Sequence, residues 1–368
     1  MVSHCYFSTD YTGAREKFKA ACTLADISPR SYENPAPGPG GLLLTTEVAR
    51  FGPVDARKLL ILISGVHGIE GLAGSGCQTA FIAQGLCGDL PEGVAVLVVH
   101  AINCYGVAHT QYTTEGNVDL NQNFLDFDVE LPANPAYEDI HDALCCPELQ
   151  GPKRDAADAF LDEYRKTNGE PAFLKALWYG QHTHPDGLSF IGTEPTWSHR
   201  TTLEILAEFA ADAEHICLID THSGAGKYGC GTIFTTAESG DAALGRARSW
   251  FGPSLQSPWA LTEKEFESNT PFPKPAGYLQ TGFVRALPHA EVVGVGLELE
   301  TFSQEQVMEV WLANHWLTFH GDPTSELGRK IKHRVLAGFY PGTEDWTDMI
   351  YPRWKQIVRQ ALYGLGSL

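Results

Sequence analysis

The sequence is short of positive charge: 26 Lys and Arg stand against 45 Asp and Glu, a formal net charge of −19. A chain of that sign is a poor partner for the phosphates of nucleic acid or for acidic membranes. No Cys-x-x-Cys pair occurs, which argues against a thiolate zinc site. The nine cysteines are odd in number and scattered, with Cys145 and Cys146 adjacent, so no disulfide framework is expected and the thiols should be reduced. No segment reaches the roughly eighteen consecutive apolar residues of a membrane span. The residues Met1 to Phe7 show neither a basic stretch nor an apolar run ending in small residues, so no secretory signal is read and the cytoplasm is the expected location. A Gly-x-Ser-x-Gly elbow is also missing, and no cysteine has an identifiable activating partner, which leaves serine and cysteine nucleophiles without support.

The residues that are present describe a globular α/β chain. Hydrophobic residues make up 43% and charged residues 19%, ordinary values for a packed domain. Four short apolar runs have strand length and β-branched content: 59–64, 94–100, 215–220 and 292–299. Helical patterns alternate with them, at 71–86 and 201–211, which predicts a mixed, mainly parallel twisted sheet flanked by helices. Ser303 and Gln306 form a capping box opening a helix through about Phe319, and further helices are expected over 325–337 and 352–365. The Pro-rich stretches 34–41 and 270–277 are too short to be interdomain linkers, so residues 1–368 are expected to form a single domain. Residues 126–190, rich in Asp, Glu, Pro and aromatics, are expected to leave the sheet as an irregular, pocket-forming excursion with helical pieces near 155–166 and 171–179.

The chemistry gathers where the apolar strands end. The first strand runs into Gly65-Val66-His67-Gly68-Ile69-Glu70-Gly71, placing an imidazole and a carboxylate three residues apart. Zinc takes such nitrogen and oxygen donors together, and catalytic zinc commonly uses three protein ligands. A His-x-x-Glu spacing arises about once by chance in a chain of this composition, so the pair needs a third donor from another strand end. Ile216 to Gly224 supplies it in the same style, delivering His222 to a Gly-rich turn. The plainer alternative for each histidine is a capping or packing role.

Taken with the segments His100 to Gly106, Asn117 to Phe124, Gly180 to Gly187 and Asp220 to Gly224, these motifs resemble the zinc carboxypeptidase superfamily, and within it the DUF2817 group of carboxypeptidase-like proteins. The resemblance covers most of the chain. It implies a zinc-dependent hydrolase of an amide bond, with one zinc ion held by His67, Glu70 and His222 and a small-molecule or peptide substrate. It also implies a glutamate base on a late strand, where Gly296-Leu297-Glu298-Leu299-Glu300-Thr301 lies. Glu298 aligns best with that residue, while strand alternation puts Glu300 on the same face. Asp119 resembles the carboxylate that orients the histidine corresponding to His67, and Asn121 the asparagine that binds a substrate carboxylate.

The chain departs from the pattern at Gln122 and in the pair Gln111-Tyr112. The superfamily usually reads Asp-Leu-Asn-Arg where this chain has Gln122, and the related group tends to carry arginine where Gln111 and Tyr112 stand. A neutral amide replaces only part of arginine's charge-assisted fork. Arg285 or Lys227 could bind a carboxylate from another direction, or be plain surface charges. Otherwise the substrate lacks a carboxylate at that point, which would favour an amide or acyl-amine, the substrate type of the superfamily's deacylases such as aspartoacylase. The competing reading is a noncatalytic ligand-binding protein that keeps the fold. His182 and His184 would share a face if they lay on a strand, but the adjoining Pro185-Asp186-Gly187 turn favours a pocket loop, and His109 and Tyr112 are further candidates for the pocket wall. Gly224-x-Gly226-x-x-Gly229 is set aside as a dinucleotide fingerprint because residues 230–234 read as a strand where the fingerprint needs a helix.

Overall fold

The computed structural model describes residues 4–261 and 277–368. The Pro-rich stretch 270–277 therefore lies, except for Gly277, outside the described residues.

The four apolar runs become adjacent strands of one eight-stranded sheet. The strands are β1 (Arg30–Asn34), β2 (Leu44–Phe51), β3 (Lys58–Ser64), β4 (Val94–His100), β5 (His215–Gly224), β6 (Gly231–Phe234), β7 (Leu255–Gln256) and β8 (Glu291–Glu300), in the order β1-β2-β4-β3-β5-β8-β6-β7. β4, β3, β5 and β8 run parallel to one another, while β2 against β4 and β6 against β8 are antiparallel. Parallel strands are covered on both faces, which is why these four read as continuous apolar runs. On one face the helices Tyr11–Leu24, Gly71–Ala83 and Glu344–Gly366 close a core around Phe18, Phe81 and Trp354. The helices Trp197–Phe209 and Leu279–Ala286 cover the other.

One boundary and one strand differ from expectation. The last long helix begins at Glu344 and passes through Pro352, instead of starting there. Trp346, Ile350, Trp354 and Ile357 fall at helical spacing and are fully buried, and that burial outweighs the hydrogen bond a proline forfeits. β2 escapes the sequence because its buried positions include Thr45, Thr46 and Glu47. The buried Glu47 carboxylate accepts from Arg15 at 2.6 Å and Ser31 at 2.5 Å.

The excursion 126–190 is largely helical, with Pro152–Asn168 and Glu170–Trp178 as its main pieces. It packs on the helices Gln304–His320 and Glu326–Phe339 in a third apolar cluster, and the capping box at Ser303 and Gln306 is formed. No disulfide joins any of the nine cysteines. Among the described residues, no helix is long and apolar enough to cross a membrane.

Candidate metal centre

The parallel strands β3, β5 and β8 end on one side of the sheet, the place where α/β folds assemble their sites. After β3 the chain turns through Gly65, at φ +73°, a left-handed conformation that glycine adopts without cost. The short turn Gly68–Glu70 then hangs from the segment beyond it: Gly68 N donates to Tyr112 O at 3.0 Å and Ile69 N to Gln111 O at 2.9 Å. A Cβ at Gly68 would run into the Gly106 backbone, so glycine is what lets this turn lie against its neighbour.

His67 and Glu70 thereby face β5. His222 differs from its expected place: it lies inside β5, two residues before the strand ends, and its register partner on β8 is Glu298. His67 Nδ1 is 3.0 Å from Glu70 Oε1, His222 Nδ1 is 3.0 Å from Glu70 Oε2, and the two Nδ1 atoms are 3.3 Å apart. All three residues are buried. The other ring nitrogens point away onto carboxylates, His67 Nε2 at 3.3 Å from Asp119 Oδ1 and His222 Nε2 at 2.6 Å from Asp220 Oδ2.

This arrangement attracts a cation. Burial opposes a charged His67, but the Glu70 and Asp119 carboxylates outweigh it and bring the imidazole up to about 9. For His222 burial is likewise overcome by Asp220 and Glu70, and its affinity for a proton rises. Burial would raise Glu70, yet the two imidazoles hold it down to about 2. A divalent ion can take the place of those protons. Two nitrogens and one carboxylate converging from separate elements, each imidazole held from behind by an aspartate, are a donor set that fits zinc.

The cluster opens into a cavity of about 440 Å³ whose lining also includes Tyr112, Asp119, Asn121, Gln122, Glu298 and Glu300. Tyr112 stacks on His67, ring centroids 3.9 Å apart, and with Trp311 and Phe339 forms an aromatic wall. Asn121 donates its backbone N–H to Asp119 Oδ1 at 3.0 Å, and its side-chain oxygen accepts from Leu279 N at 3.3 Å. Gln122 spends its Nε2 on Asp119 Oδ2, also at 3.0 Å. Glu298 and Glu300 share the cavity face, as alternation requires, but their environments differ. Glu300 accepts from the Thr232 hydroxyl and from Lys227 N. The Glu298 carboxyl has no hydrogen-bond partner among the described residues, and burial, followed by the charge of Glu70, pushes it up to about 8.

Other expected residues lie elsewhere. Gln111 turns away to Thr318 Oγ1 at 3.0 Å and only its backbone serves the site. Arg285 donates to the Phe124 carbonyl and does not line the cavity. His109 lies 3.0 Å from Pro37 O, and His184 pairs with Glu138, so neither reaches the pocket wall. Asp220 is the partner that sequence reading missed. Its signal was the strand alternation that places residues i and i+2 on one face.

The aspartates behind the histidines give a direct prediction. Asp119→Asn and Asp220→Asn should each weaken zinc binding about 10- to 100-fold, read by competition with a chromogenic chelator. Unchanged affinity in both would mean that neither carboxylate supports a metal ligand.

A family model described as "Protein of unknown function (DUF2817)" matches residues 7–353. No curated protein matches the chain. Among solved structures it is similar to carboxypeptidase A from Helicoverpa armigera, at 11% identity and TM-score 0.46, covering 89% of this chain and 73% of that one. Bovine thrombin-activatable fibrinolysis inhibitor in complex with tick carboxypeptidase inhibitor matches at 10% identity and TM-score 0.48, covering 98% and 97%. The succinylglutamate desuccinylase from Chromobacterium violaceum matches at 15% identity and TM-score 0.35, covering 84% and 78%.

Proposed function

The chain belongs to the DUF2817 family, and from that premise and the geometry of the cluster we propose that it is a zinc-dependent hydrolase of an amide bond. His67, Glu70 and His222 would hold one zinc ion, and Glu298 would act as the base. The observation that carries the proposal is the convergence of three buried donors in a cavity that also holds an uncommitted carboxyl with a raised pKa. Zinc bound there supplies Lewis acidity, polarising a carbonyl oxygen and making water more acidic.

The chain's own residues do the rest. Asp119 and Asp220 fix the two imidazoles so that each presents Nδ1 to the centre. Glu298 takes a proton from the attacking water and returns it to the leaving nitrogen, for which a carboxyl with a raised pKa is suited. The aromatic wall of Tyr112, Trp311 and Phe339 offers apolar surface to the acyl or amine portion and limits water.

The lining favours an N-acyl amine over a peptide with a free C-terminus. Gln122 is occupied with Asp119 and Arg285 with Phe124, so neither grips a carboxylate. Glu298 and Glu300, on the same face, would repel one. Zinc-loaded protein should therefore hydrolyse N-acyl amines or amidated peptides with higher kcat/KM than the same compounds bearing a free carboxylate. Turnover should vanish on chelation and return with zinc. A chain that takes up no zinc and hydrolyses none of these would instead be a ligand-binding protein on this scaffold.

A further inference from the structure

Behind the loop that brings Ser189 to the cavity, a second set of donors comes together. His141 opens the short helix His141–Leu144, while His184 and Asp186 lie in the turn closed by Gly187 N donating to His184 O at 2.9 Å. One ligand atom from each of the three lies within 4.8 Å of the others, and none of these residues lines the cavity. We propose that His141, His184 and Asp186 form a second metal site, for a divalent transition ion such as zinc or nickel, which braces the loop 181–191.

The donor types select the class of ion. Two imidazoles and one carboxylate suit zinc, nickel or copper, whereas calcium and magnesium would demand oxygens throughout. His141 is buried, 9% exposed, and its Nδ1 has no hydrogen-bond partner among the described residues, a state that buried polar atoms rarely keep. An ion supplies what that nitrogen lacks. His184 Nε2 is 2.8 Å from Glu138 Oε2, and Glu138 in turn accepts from Thr183 Oγ1 at 2.6 Å. This is the carboxylate backing that metal-binding imidazoles use, and it leaves Nδ1 as the ring's free donor. Asp186 is exposed, which gives an ion a path from solvent. The two imidazoles are stacked, with centroids 3.7 Å apart and planes 20° from parallel. Lone pairs converge on a shared ion only if the rings splay from that stack, so occupancy must alter both rings.

The loop ties this cluster to the first. Gln181 holds both the N–H and the carbonyl of His184, and Asn117 holds the carbonyls of Pro185 and Gly187. At the loop's far end, Phe190 O accepts from the backbone N–H of Asp119 at 2.7 Å, the residue behind His67. The second ion would thus stiffen the segment that positions Asp119.

The test is metal stoichiometry, which needs no activity. Wild type, His184→Ala, Asp186→Asn and His67→Ala are stripped with chelator, equilibrated with zinc, freed of unbound ion and analysed for metal, with circular dichroism to verify folding. Each of the four is also titrated with zinc while thermal unfolding is followed. His184→Ala should bind one equivalent fewer than wild type and lose the corresponding rise in Tm, and Asp186→Asn should bind that equivalent at least about tenfold more weakly. His67→Ala should keep it. If His184→Ala fails to fold, Asp186→Asn, at an exposed position, decides the matter alone. Wild-type stoichiometry and affinity in the folded variants at 184 and 186 would overturn the second site. Loss of no metal in His67→Ala would instead count against the first site, so the two failures are distinguishable.

Discussion

Replacing Glu298 with glutamine is expected to lower turnover about 100- to 10,000-fold while leaving the zinc content unchanged. The amide keeps the size of the side chain and its place opposite His222 in the β5–β8 register, but it cannot take a proton. The pH profile separates this role from a structural one. A base must be deprotonated, so kcat/KM should rise with pH through the Glu298 pKa, and that limb should be absent from the residual activity of the variant. Burial and Glu70 place this carboxyl at about 8 in the protein by itself, and a cation at the cluster pulls it lower, so the limb should fall below that value. Glu300→Gln, which loses a carboxylate engaged by Thr232 and Lys227, should retain the limb. A profile lost in Glu300→Gln and kept in Glu298→Gln would exchange the two assignments.

His222→Ala is expected to abolish zinc binding at the cluster and to destabilise the fold even without metal, by about 3–5 kcal/mol. The reason lies beneath the site. Asp220 is buried in the centre of the sheet; its Oδ2 is held by His222, and its Oδ1 has no partner among the described residues. Removing the imidazole leaves a carboxylate uncompensated in the core. His67→Ala should lose the metal too, yet cost less stability, because Asp119 keeps the Asn121 N–H and the Gln122 amide. Urea unfolding of the chelator-treated proteins measures the difference. Equal losses would show that Asp220 gains nothing special from His222.

The parts of this arrangement that were legible in the sequence are those written as uninterrupted patterns. β3, β4, β5 and β8 are runs of buried aliphatic residues, the helix after Ser303 announces itself through its capping box, and the one after Ser325 through its helical pattern. The three cluster residues could be picked out because each follows or ends such a run. β2 could not, since a buried glutamate neutralised by an arginine 32 residues away has no local signature. Proximity to a motif also says nothing of side-chain direction. Tyr112 faces the cluster while its neighbour Gln111 turns outward, and Arg285 is consumed by a backbone carbonyl. Asp220 needed only the rule of alternation, applied one step upstream of the histidine.

The pairing of His222 with Glu298 across β5 and β8 has a consequence for how this protein could be remodelled. His222 and Glu298, ligand and base in the proposed function, sit on neighbouring strands whose spacing is set by the backbone ladder, like marks on two rulers clamped together. Much of the cavity wall, in contrast, comes from Trp178, Trp259, Met308 and Trp311, on helices and turns outside those strands. On the proposed function, reactivity and selectivity are therefore mechanically separable. Exchanging wall segments should change which compounds the cavity accepts while the same two marks stay aligned.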